Sequence, residues 1–425
     1  MSSSFSYLPH FNKVFWEGEK KKLNIYPNDI KDLDKIFFKE CHFFEEIDKN
    51  HKNEGEEFLK VYKELQNLAL NLEKILPEKI PMLKKNTKDM RKFKRKEVAL
   101  IFLLSFFNLI DMSQEKERDT NIFFVFNILL SLTKVKFEFG RCFLNYLTII
   151  GKWLSENNPI LEEEIKYIRD RNKLNIKKIN KTIDFCEIQI FEKGSLFDGK
   201  TSYFVDFANE YIGGGVLRGA CVQEEILFAV QPEAIISMFL MEVMSDEDAI
   251  RIDNTIRYSD YSGYAGTFKF EKCAFNDINN IKKNKIIAID ACIPNYGFYG
   301  NIDKDEIKRD INKAYIGFNL VNFENDDKDE KTISTGNWGC GAFDGDHELK
   351  FLQQWIAASF AGIKRLDYYS FGEKEMDYIS KRIDRIKEKY KNAYNLYKIL
   401  KSEELKKGEV AKTLLHKKED DCQII

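Results

Sequence analysis

Hydrophobic and polar positions change their pattern along the chain near residue 180. Before that point, long segments are apolar on one or more sides and poor in glycine, and their lengths suit helices better than strands. These predicted helices cover residues 57–76, 98–112, 122–133 and 142–154. Pro77 and Pro81 mark turns or helix starts between them. The pattern predicts an all-helical domain over residues 1–175.

Beyond residue 180, short runs rich in Ile, Val, Phe, Tyr and Thr alternate with helical patterns. The predicted strands cover residues 183–191, 201–207, 249–256, 266–270, 285–291 and 365–371. The predicted helices between them cover residues 223–230, 232–244, 303–318 and 347–361. This alternation predicts a layered α/β domain over residues 176–375. Residues 376–425 then read as a charged helix that ends near residue 407, followed by a disordered tail.

The charge of the chain is nearly balanced, which bears on its partners. Lys+Arg 67 against Asp+Glu 69 leaves a net charge of −2, so no global positive field attracts nucleic acid and any polyanion must be bound locally. The segment 84–96 is strongly basic, and Asp89 is its only acidic residue. It is either a landing patch for a polyanion or a nuclear localisation signal, or else a solvated helix face or loop, which we favour. Met90 and Phe93 within it predict an amphipathic helix with a basic outer face.

Cysteine spacing and the apolar runs limit the chemistry and the location of the protein. The eight cysteines are far apart and no two have Cys-x-x-Cys spacing, so neither a disulfide framework nor a metal site is predicted. The N-terminus lacks the features of a signal peptide, and the longest apolar run, 98–110, is too short to span a bilayer. We therefore expect an intracellular protein in the nucleus, the cytoplasm or both. Cys422 begins a C-terminal Cys-Gln-Ile-Ile that outlines a prenylation box, but Gln423 is not aliphatic and we interpret the match as chance.

The segment 205–233 carries the most informative chemistry. Gly213, Gly214 and Gly215 follow a predicted strand that ends in Asp206, and Gln223-Glu224-Glu225 then opens a helix. Consecutive glycines allow close approach of a backbone to a ligand, and bare N–H groups beside a helix N-terminus suit a phosphate. A flexible hairpin is the alternative for the glycines, and complementation of the helix dipole is the alternative for the acidic pair.

Glu224 and Glu225 cannot act as an ordinary pair of glycosidase carboxylates. Adjacent helical residues do not share a face, so the two side chains cannot flank one bond. If both work, one reaches the reacting bond, while the other binds sugar hydroxyls or orients its neighbour.

A second glycine cluster over residues 336–345 precedes another predicted helix. No Gly-Lys-Ser/Thr follows it, and Asp344 occupies the third glycine position of a dinucleotide fingerprint, so it is neither a P-loop nor a Rossmann loop. It has the chemistry of an anion-binding nest. Two such loops predict a ligand with two phosphates held between them. Aromatic residues that could sandwich a nucleobase complete an adenine site, namely Tyr258, Tyr261, Tyr264 and Phe371.

Taken together, three glycines, seven residues and Gln-Glu-Glu resemble the signature of the poly(ADP-ribose) glycohydrolases, whose catalytic domain is a macrodomain. The resemblance continues through DFAN, QPE, YSDYSGYAG, TGNWGCGAF and YSFGE and covers roughly residues 180–375. It implies an α/β macrodomain, a mixed sheet flanked by helices, preceded by an all-helical accessory domain. No family motif is matched within the helical half.

The resemblance also implies a role for individual residues. Glu225 would be the catalytic acid, Glu224 its ribose-binding neighbour and Asp206 the supporting carboxylate. Asn209 and Gln223 would contact the distal ADP-ribose. The remaining substrate-binding residues would be the glycine loop Gly213, Gly214 and Gly215, the ligand-closing Tyr264, the adenine-stacking Phe371, and the diphosphate loop Asn337, Trp338, Gly339, Cys340, Gly341, Ala342 and Phe343.

The chain departs from the family pattern at one point. About ten residues before DFAN, where the family commonly places an acidic residue on the adenine edge, this chain has Ser195-Leu196. Either backbone groups bind the adenine edge here, or the register differs.

The function implied is hydrolysis of the ribose–ribose O-glycosidic bonds of poly(ADP-ribose), with Glu225 first protonating the departing hydroxyl and then activating water. The expected partners are poly(ADP-ribose) and ADP-ribosylated proteins in the DNA damage response, bound by a monomer without direct DNA binding, membrane, metal or cofactor. The alternatives are a non-catalytic macrodomain, a macrodomain enzyme that removes mono-ADP-ribose, and a helical docking scaffold that carries the α/β half.

Overall fold

An eight-stranded mixed sheet forms the centre of the protein in the computed structural model, which describes residues 20–38, 41–77, 80–109, 133–198, 201, 203–323 and 331–416. The strands in chain order are β1 (Asp89–Lys94), β2 (Glu164–Asp170), β3 (Glu187–Phe191), β4 (Tyr203–Ala208), β5 (Ala249–Ile256), β6 (Ser259–Ser262), β7 (Lys269–Cys273), β8 (Lys283–Asp290), β9 (Thr332–Gly336) and β10 (Arg365–Tyr369). The order across the main sheet is β1-β2-β5-β8-β4-β9-β10-β3, and β6 and β7 form a separate hairpin.

Helices cover both faces of this sheet. They are α1 (Asp32–Phe37), α2 (Phe43–Asn50), α3 (Lys52–Leu70), α4 (Leu72–Ile75), α5 (Arg95–Phe106), α6 (Lys134–Ser155), α7 (Gln223–Val230), α8 (Ser237–Leu240), α9 (Lys304–Asn319), α10 (His347–Phe360), α11 (Met376–Ser380), α12 (Ile383–Tyr390), α13 (Ala393–Ser402) and α14 (Val410–His416). The helices up to α8 share one hydrophobic core with one face of the sheet, and those from α9 onward share a second core with the other face.

Successive residues of a strand point to opposite faces, and β4 shows how this divides the two cores. Phe204 and Ala208 belong to the first core, whereas Tyr203 and Val205 belong to the second. Asp206 therefore faces the first core, where α7 packs between the sheet and the helical half of the chain.

The first half of the chain contributes strands as well as helices, which the sequence analysis did not predict. Strand β2 pairs antiparallel with β5, and β1 pairs antiparallel with β2 at the edge of the sheet. The basic segment 84–96, predicted as an amphipathic helix, instead forms β1 and the start of α5. Its cations have acidic partners: Lys88 pairs with Asp170, and Lys94 pairs with Glu162 at 2.8 Å. The predicted helix 122–133 lies outside the described residues, apart from Thr133.

Most predicted elements of the second half are observed, with shifts of a few residues at their ends. The predicted helix 232–244 is shorter, a 3-10 turn at Pro232–Ile236 followed by α8. Strands β6 and β9 were not predicted. Residues 376–416 form four helices rather than the one predicted helix, and the stretch expected to be disordered contains α14, whose Val410 and Leu414 are buried in the second core.

Five neighbouring strands of the sheet run parallel, and their direction positions the loops that follow them. β4 pairs in parallel with β8 and β9, and β10 pairs in parallel with β9 and β3. Parallel strands present their carboxyl ends at one edge, where ligands bind in open α/β sheets. Both glycine clusters therefore reach the same edge, since one follows β4 and the other follows β9.

Candidate active site

A large cleft of about 1020 Å³ opens at the carboxyl edge of the parallel strands, among the residues that the structure describes. Its wall brings together loops that are distant in sequence, from the segment after β3 to the segment after β10. The sequence-predicted residues that line it are Ser195, Leu196, Asn209, Gly214, Gly215, Gln223, Glu224, Glu225, Tyr264, Asn337, Trp338, Gly339, Cys340, Gly341, Ala342, Phe343 and Phe371. Asp206 and Gly213 lie behind this wall.

Glu225 is held at the floor of the cleft by two backbone groups. It is the third residue of α7, and one oxygen accepts a hydrogen bond from the Val222 N–H at 2.9 Å, which also caps the helix. The other oxygen accepts from the Gly215 N–H, also at 2.9 Å. The side chain is 5% exposed, so the carboxylate faces the cleft from a fixed position.

Glu224 is tied to the same loop by different hydrogen bonds. Its Oε1 accepts from the Gly213 N–H at 2.6 Å, and its Oε2 accepts from the Asn209 N–H at 2.9 Å. Burial raises the pKa of Glu224 well above its ordinary value, and the charges of Asp206 and Glu225 raise it further, although the two backbone N–H groups act in the opposite direction. The two adjacent glutamates therefore hold two different points of one loop.

Asp206 lies beneath this pair as a carboxyl group without partners. It is fully buried on β4, and neither of its oxygens has a hydrogen-bond partner among the described residues. Burial raises its pKa well above the ordinary value, and the charge of Glu225 raises it further. A carboxyl group in this position keeps its proton at a pH where an exposed aspartate has lost it.

Gln223 and Asn209 connect α7 to the end of β4. The Gln223 Oε1 accepts from the Phe207 N–H at 2.8 Å, and its Nε2 donates to the Val205 carbonyl at 3.1 Å. The Asn209 Oδ1 accepts from the Tyr211 N–H at 3.0 Å. Gln223 therefore orients the helix that carries the glutamates, in addition to lining the cleft.

The first glycine loop does not have the free N–H groups that the sequence analysis assigned to a phosphate. The Gly213 and Gly215 N–H groups donate to the two glutamates, and the Gly214 N–H donates to the Tyr211 carbonyl at 3.1 Å. Gly214 has φ +50°, and a Cβ there would lie 2.5 Å from oxygens of both Glu224 and Glu225. Glycine is required because the backbone passes directly over the carboxylates.

The second glycine loop has a different arrangement. No described residue accepts a hydrogen bond from the N–H groups of Gly341, Ala342 or Phe343, all of which line the cleft. The Asn337 side chain fixes the start of the loop, since Nδ2 donates to the Ser370 carbonyl and Oδ1 accepts from the Tyr368 hydroxyl, both at 3.0 Å. This loop fits the anion-binding nest that the sequence predicted.

Trp338 and Cys340 support the second loop from below. The Trp338 ring is fully buried, and its Nε1 donates to the Ile289 carbonyl at 2.9 Å. The Lys350 ammonium lies 5.0 Å from the ring centroid and pairs with buried Asp310. Burial raises the pKa of the Cys340 thiol, so it stays neutral. These two side chains pack the loop, and only the backbone around them can contact a ligand.

Tyr264 and Phe371 are the exposed aromatic residues of the cleft. They are 55% and 50% exposed, unusual values for large hydrophobic side chains. Phe371 has φ +55°, a strained conformation for a residue other than glycine. Tyr258, predicted to join them, is instead fully buried and donates its hydroxyl hydrogen to Glu233 at 2.6 Å. Tyr261 is half-buried and stacks on Phe268.

The wall of the cleft contains residues that the sequence analysis missed. Phe197 and Ala291 add apolar surface, and Arg218, His347 and Glu373 add charge or hydrogen-bonding groups. Arg218 could have been found from its place between the glycines and Gln-Glu-Glu, and Glu373 from its place at the end of YSFGE. Phe197, Ala291 and His347 belong to no motif. Ser195 and Leu196 line the cleft as predicted, and the Ser195 hydroxyl accepts from the Phe197 N–H at 3.3 Å.

Within the described ranges, no group of three or more His, Cys, Asp or Glu side chains is placed to hold a metal ion. No helix in the same part of the chain is long and apolar enough to cross a membrane.

Comparison with known families decides the affiliation of the chain. Residues 175–378 match the model of the poly(ADP-ribose) glycohydrolase macro domain fold, and residues 49–169 match the model of that family's helical domain. The chain belongs to the poly(ADP-ribose) glycohydrolase family. The predicted fold class, a macrodomain with a mixed sheet flanked by helices behind a helical N-terminal domain, is confirmed.

Individual relatives of the poly(ADP-ribose) glycohydrolase family match over part of their length. Probable poly(ADP-ribose) glycohydrolase 2 of Arabidopsis thaliana is 29% identical over 338 residues, and the match covers 68% of this chain and 64% of that protein. Poly(ADP-ribose) glycohydrolase 1 of Caenorhabditis elegans is 38% identical over 224 residues, and the match covers 48% of this chain and 27% of that protein. The chain thus spans less than two thirds of these relatives.

A crystal structure of poly(ADP-ribose) glycohydrolase from Thermomonospora curvata bound to the inhibitor ADP-HPD matches 49% of this chain and 80% of its own, with 15% identity and a TM-score of 0.34. This match is too distant to support an argument about function.

Proposed function

We propose that this protein is a glycohydrolase that cleaves the ribose–ribose O-glycosidic bonds of poly(ADP-ribose) and releases ADP-ribose. The observation that carries the proposal is the position of Glu225, a carboxylate held by the Gly215 and Val222 N–H groups at the floor of the cleft. Membership of the poly(ADP-ribose) glycohydrolase family supports the choice of substrate.

We infer one orientation of the substrate from the groups that line the cleft. The diphosphate would accept hydrogen bonds from the N–H groups of Gly341, Ala342 and Phe343, which have no acceptor among the described residues. Adenine would stack on Phe371, with its edge toward the backbone of Ser195 and Leu196, since no acidic residue occupies that position.

The distal ribose would then reach the two glutamates. Glu224 would accept from its hydroxyls, and Asn209 and Gln223 would border it beside the first glycine loop. Tyr264 would close over the ribose. Burial and the charge of Glu225 raise the pKa of Tyr264, so its hydroxyl keeps the hydrogen that it would donate to the ligand.

Glu225 would act first as an acid and then as a base. Its proton goes to the departing ribose oxygen as the C1″–O bond breaks, and the positive charge that develops on the distal ribose is stabilised by the diphosphate. The Glu225 carboxylate then removes a proton from the water that attacks C1″, which regenerates the acid and completes the hydrolysis. Asp206 would lie beneath the pair as a neutral group, which limits the negative charge at the floor.

We also propose the setting in which this reaction takes place. The substrate would be poly(ADP-ribose) on ADP-ribosylated proteins, and the protein would act as a monomer in the nucleus or cytoplasm, in the DNA damage response, without binding DNA directly. The net charge of −2 and the acidic partners of the basic segment 84–96 support the last point. Light scattering of the purified chain and a DNA-binding titration test these statements.

The division into residues 1–175, 176–375 and 376–425 is proposed as one of function, not of independent folding. The helical accessory part supplies β1 and β2 to the sheet, and buried Arg95 of α5 pairs with buried Glu233 of the catalytic macrodomain. A chain that begins at residue 176 would leave Glu233 without its partner. We expect it not to fold by itself, which circular dichroism would test.

The test of the proposed function is incubation of the purified protein with radiolabelled poly(ADP-ribose), followed by separation of the products. Release of ADP-ribose is expected. Binding of the polymer without release would instead identify a non-catalytic macrodomain. Release only from proteins that carry a single ADP-ribose would identify a macrodomain enzyme of different specificity.

A further inference from the structure

Arg218 has a position in the cleft that the proposed chemistry does not use. It ends the short turn Val216–Arg218 between the first glycine loop and α7, and its exposed side chain lines the cleft. The Arg218 N–H donates to the Gly215 carbonyl at 2.8 Å, and the Gly215 N–H donates to Glu225 at 2.9 Å. Two hydrogen bonds, both involving the Gly215 backbone, therefore link the backbone of Arg218 to the proposed acid, Glu225.

The charge of Arg218 is exceptional for this wall. Among the described residues that line the cleft, it is the only lysine or arginine, whereas Glu224, Glu225 and Glu373 are acidic. The nest proposed for the diphosphate of the bound unit is made of backbone N–H groups on the other glycine loop. Arg218 lies on the first loop instead, so its charge would act on a different anion.

A lysine from the helical half stands beside this arginine. Gly219, the next residue, has φ +84°, and a Cβ there would lie 2.7 Å from the Lys136 Cγ and 3.1 Å from its Cε. The Lys136 side chain thus packs on the turn that carries Arg218. Two cations, one from each half of the chain, share this rim.

The polymer supplies an anion for this rim. When the C1″–O bond breaks, the departing fragment is itself an ADP-ribose unit, attached through the 2′-oxygen of its adenosine ribose. Its own diphosphate lies a few bonds from that oxygen. Since Glu225 donates its proton to the same oxygen, the departing unit would pass beside Glu225, where Gly215 and Arg218 of the adjacent turn also line the cleft.

We propose that Arg218, assisted by Lys136, binds the diphosphate of the departing ADP-ribose unit. This subsite rests on the proposed glycohydrolase function and adds to it the recognition of a second unit of the polymer. Arginine suits the task because its planar guanidinium forms paired hydrogen bonds with phosphate oxygens.

The experiment compares two substrates that differ only on the departing side. One is poly(ADP-ribose), and the other is ADP-ribose that carries a neutral 4-nitrophenyl group on C1″. The full chain is assayed as wild type and as Arg218→Glu, Arg218→Lys and Lys136→Glu. Lys381→Glu is the matched control, because Lys381 is exposed and does not line the cleft.

Arg218→Glu is expected to lower the ratio of kcat/KM for polymer to kcat/KM for the nitrophenyl substrate by about tenfold, the effect of losing one charge-assisted hydrogen bond. Arg218→Lys should retain part of this preference, Lys136→Glu should lose a smaller part, and Lys381→Glu should equal wild type. Added salt should lower the wild-type ratio more than that of Arg218→Glu.

An unchanged ratio in Arg218→Glu would overturn the subsite. A loss of ADP-ribose affinity in that variant would also overturn it, by assigning Arg218 to the bound unit instead of the departing one. Failure of the wild-type protein to cleave either substrate would reject the proposed function itself, an outcome distinct from the first two.

Discussion

The two glycine loops of the cleft look alike in sequence and differ in what their backbone does. In the first loop, every N–H from Gly213 to Gly215 has an acceptor within the chain, and two of these acceptors are the glutamates of α7. In the second loop, the N–H groups of Gly341, Ala342 and Phe343 have no described acceptor and line the cleft.

This difference separates positioning from binding. The first loop holds carboxylates in place, so a ligand can reach it only through Glu224 and Glu225. The second loop presents hydrogen-bond donors to whatever enters the cleft. The space around each glycine shows the same contrast. A Cβ on Gly214 would lie 2.5 Å from oxygens of both carboxylates, whereas a Cβ on Gly341 would meet no described atom within 4 Å.

The largest expected effect follows from the first loop. Glu225→Gln should lower kcat by roughly 10²–10⁴-fold or more, because an amide cannot donate the proton that the departing oxygen requires. The amide can accept from only one of the Gly215 and Val222 N–H groups, so unfolding should also become easier by about 1–3 kcal/mol. Single-turnover kinetics on labelled polymer and thermal melts measure the two effects.

Glu348→Gln is the control for this prediction. Glu348 is also a buried glutamate in the first turn of a helix, but a single backbone group, the Ala411 N–H, donates to it. This variant should retain turnover. If Glu225→Gln stays within tenfold of wild type, Glu225 is not the acid.

Gly214→Ala should impair chemistry more than binding. The new Cβ would push one or both carboxylates off their N–H donors, and we expect kcat to fall by at least tenfold, about 1.4 kcal/mol of barrier. The φ of +50° should add about 1–2 kcal/mol of instability. Calorimetry with ADP-ribose measures binding, and steady-state kinetics measure kcat. Unchanged kcat with weakened binding would show that the first loop binds phosphate after all.

Phe371→Ala tests the aromatic residue nearest to the second loop, to which it is linked through the Asn337–Ser370 hydrogen bond. Because Phe371 is half exposed, its truncation should cost little stability but roughly 1–3 kcal/mol of ADP-ribose binding. The control is Phe360→Ala, which removes a buried ring of the second core and should cost about 3–5 kcal/mol of stability.

Thermal melts of both variants with and without ADP-ribose distinguish these outcomes. Phe371→Ala should lose the ligand-induced shift, and Phe360→Ala should keep it at a lower melting temperature. The opposite result would place Phe371 in the core and leave adenine without a partner. Tyr264→Ala should behave like Phe371→Ala.

Gly341→Ala tests whether the second loop is open to a ligand. The methyl group would meet no atom of the described protein within 4 Å, so the free energy of unfolding should stay within about 0.5 kcal/mol of wild type and the melting temperature should hardly change. The methyl group should obstruct the diphosphate, and ADP-ribose affinity should fall about tenfold, or roughly 1.4 kcal/mol. Gly297→Ala, at another open glycine outside the cleft, should change neither quantity. Equal ADP-ribose affinities of the two variants would show that the second loop does not bind the diphosphate.

The smallest effect concerns the pH dependence of stability beneath the first loop. The folded-state pKa of Asp206 is raised above its ordinary value of 3.8, so its contribution is fully present below that pH and is lost as the pH rises through the folded-state pKa. Asp206→Asn cannot ionise and should lose less stability on the alkaline side. Melting curves from pH 4 to pH 9 measure this, and parallel curves for the two proteins would show that Asp206 is already charged.

Local sequence rules predicted the parts of this protein in which the conformation of each residue depends mainly on its neighbours along the chain. The strand Ala249–Ile256 and the helix Gln223–Val230 begin and end as predicted, because alternation and the stop before Pro232 are local signals. The basic strand Asp89–Lys94 was missed because its pairing partner β2 is more than 60 residues away in the chain. The position of Tyr258 was predicted wrongly for a similar reason. Its hydroxyl donates to buried Glu233, which pairs with buried Arg95 of the distant helical half.

The sequence by itself determined the family and the order of the motifs, and it predicted the reactive residues, since these depend on residue type and spacing. Only the tertiary structure decided which glycine loop binds carboxylates and which is open to an anion. The physical reason is that a backbone N–H has the same capacity to donate in either loop, and its acceptor is fixed by what the fold brings within hydrogen-bonding distance. α7 brings Glu224 and Glu225 to the first loop, and no described acceptor reaches Gly341, Ala342 or Phe343 in the second.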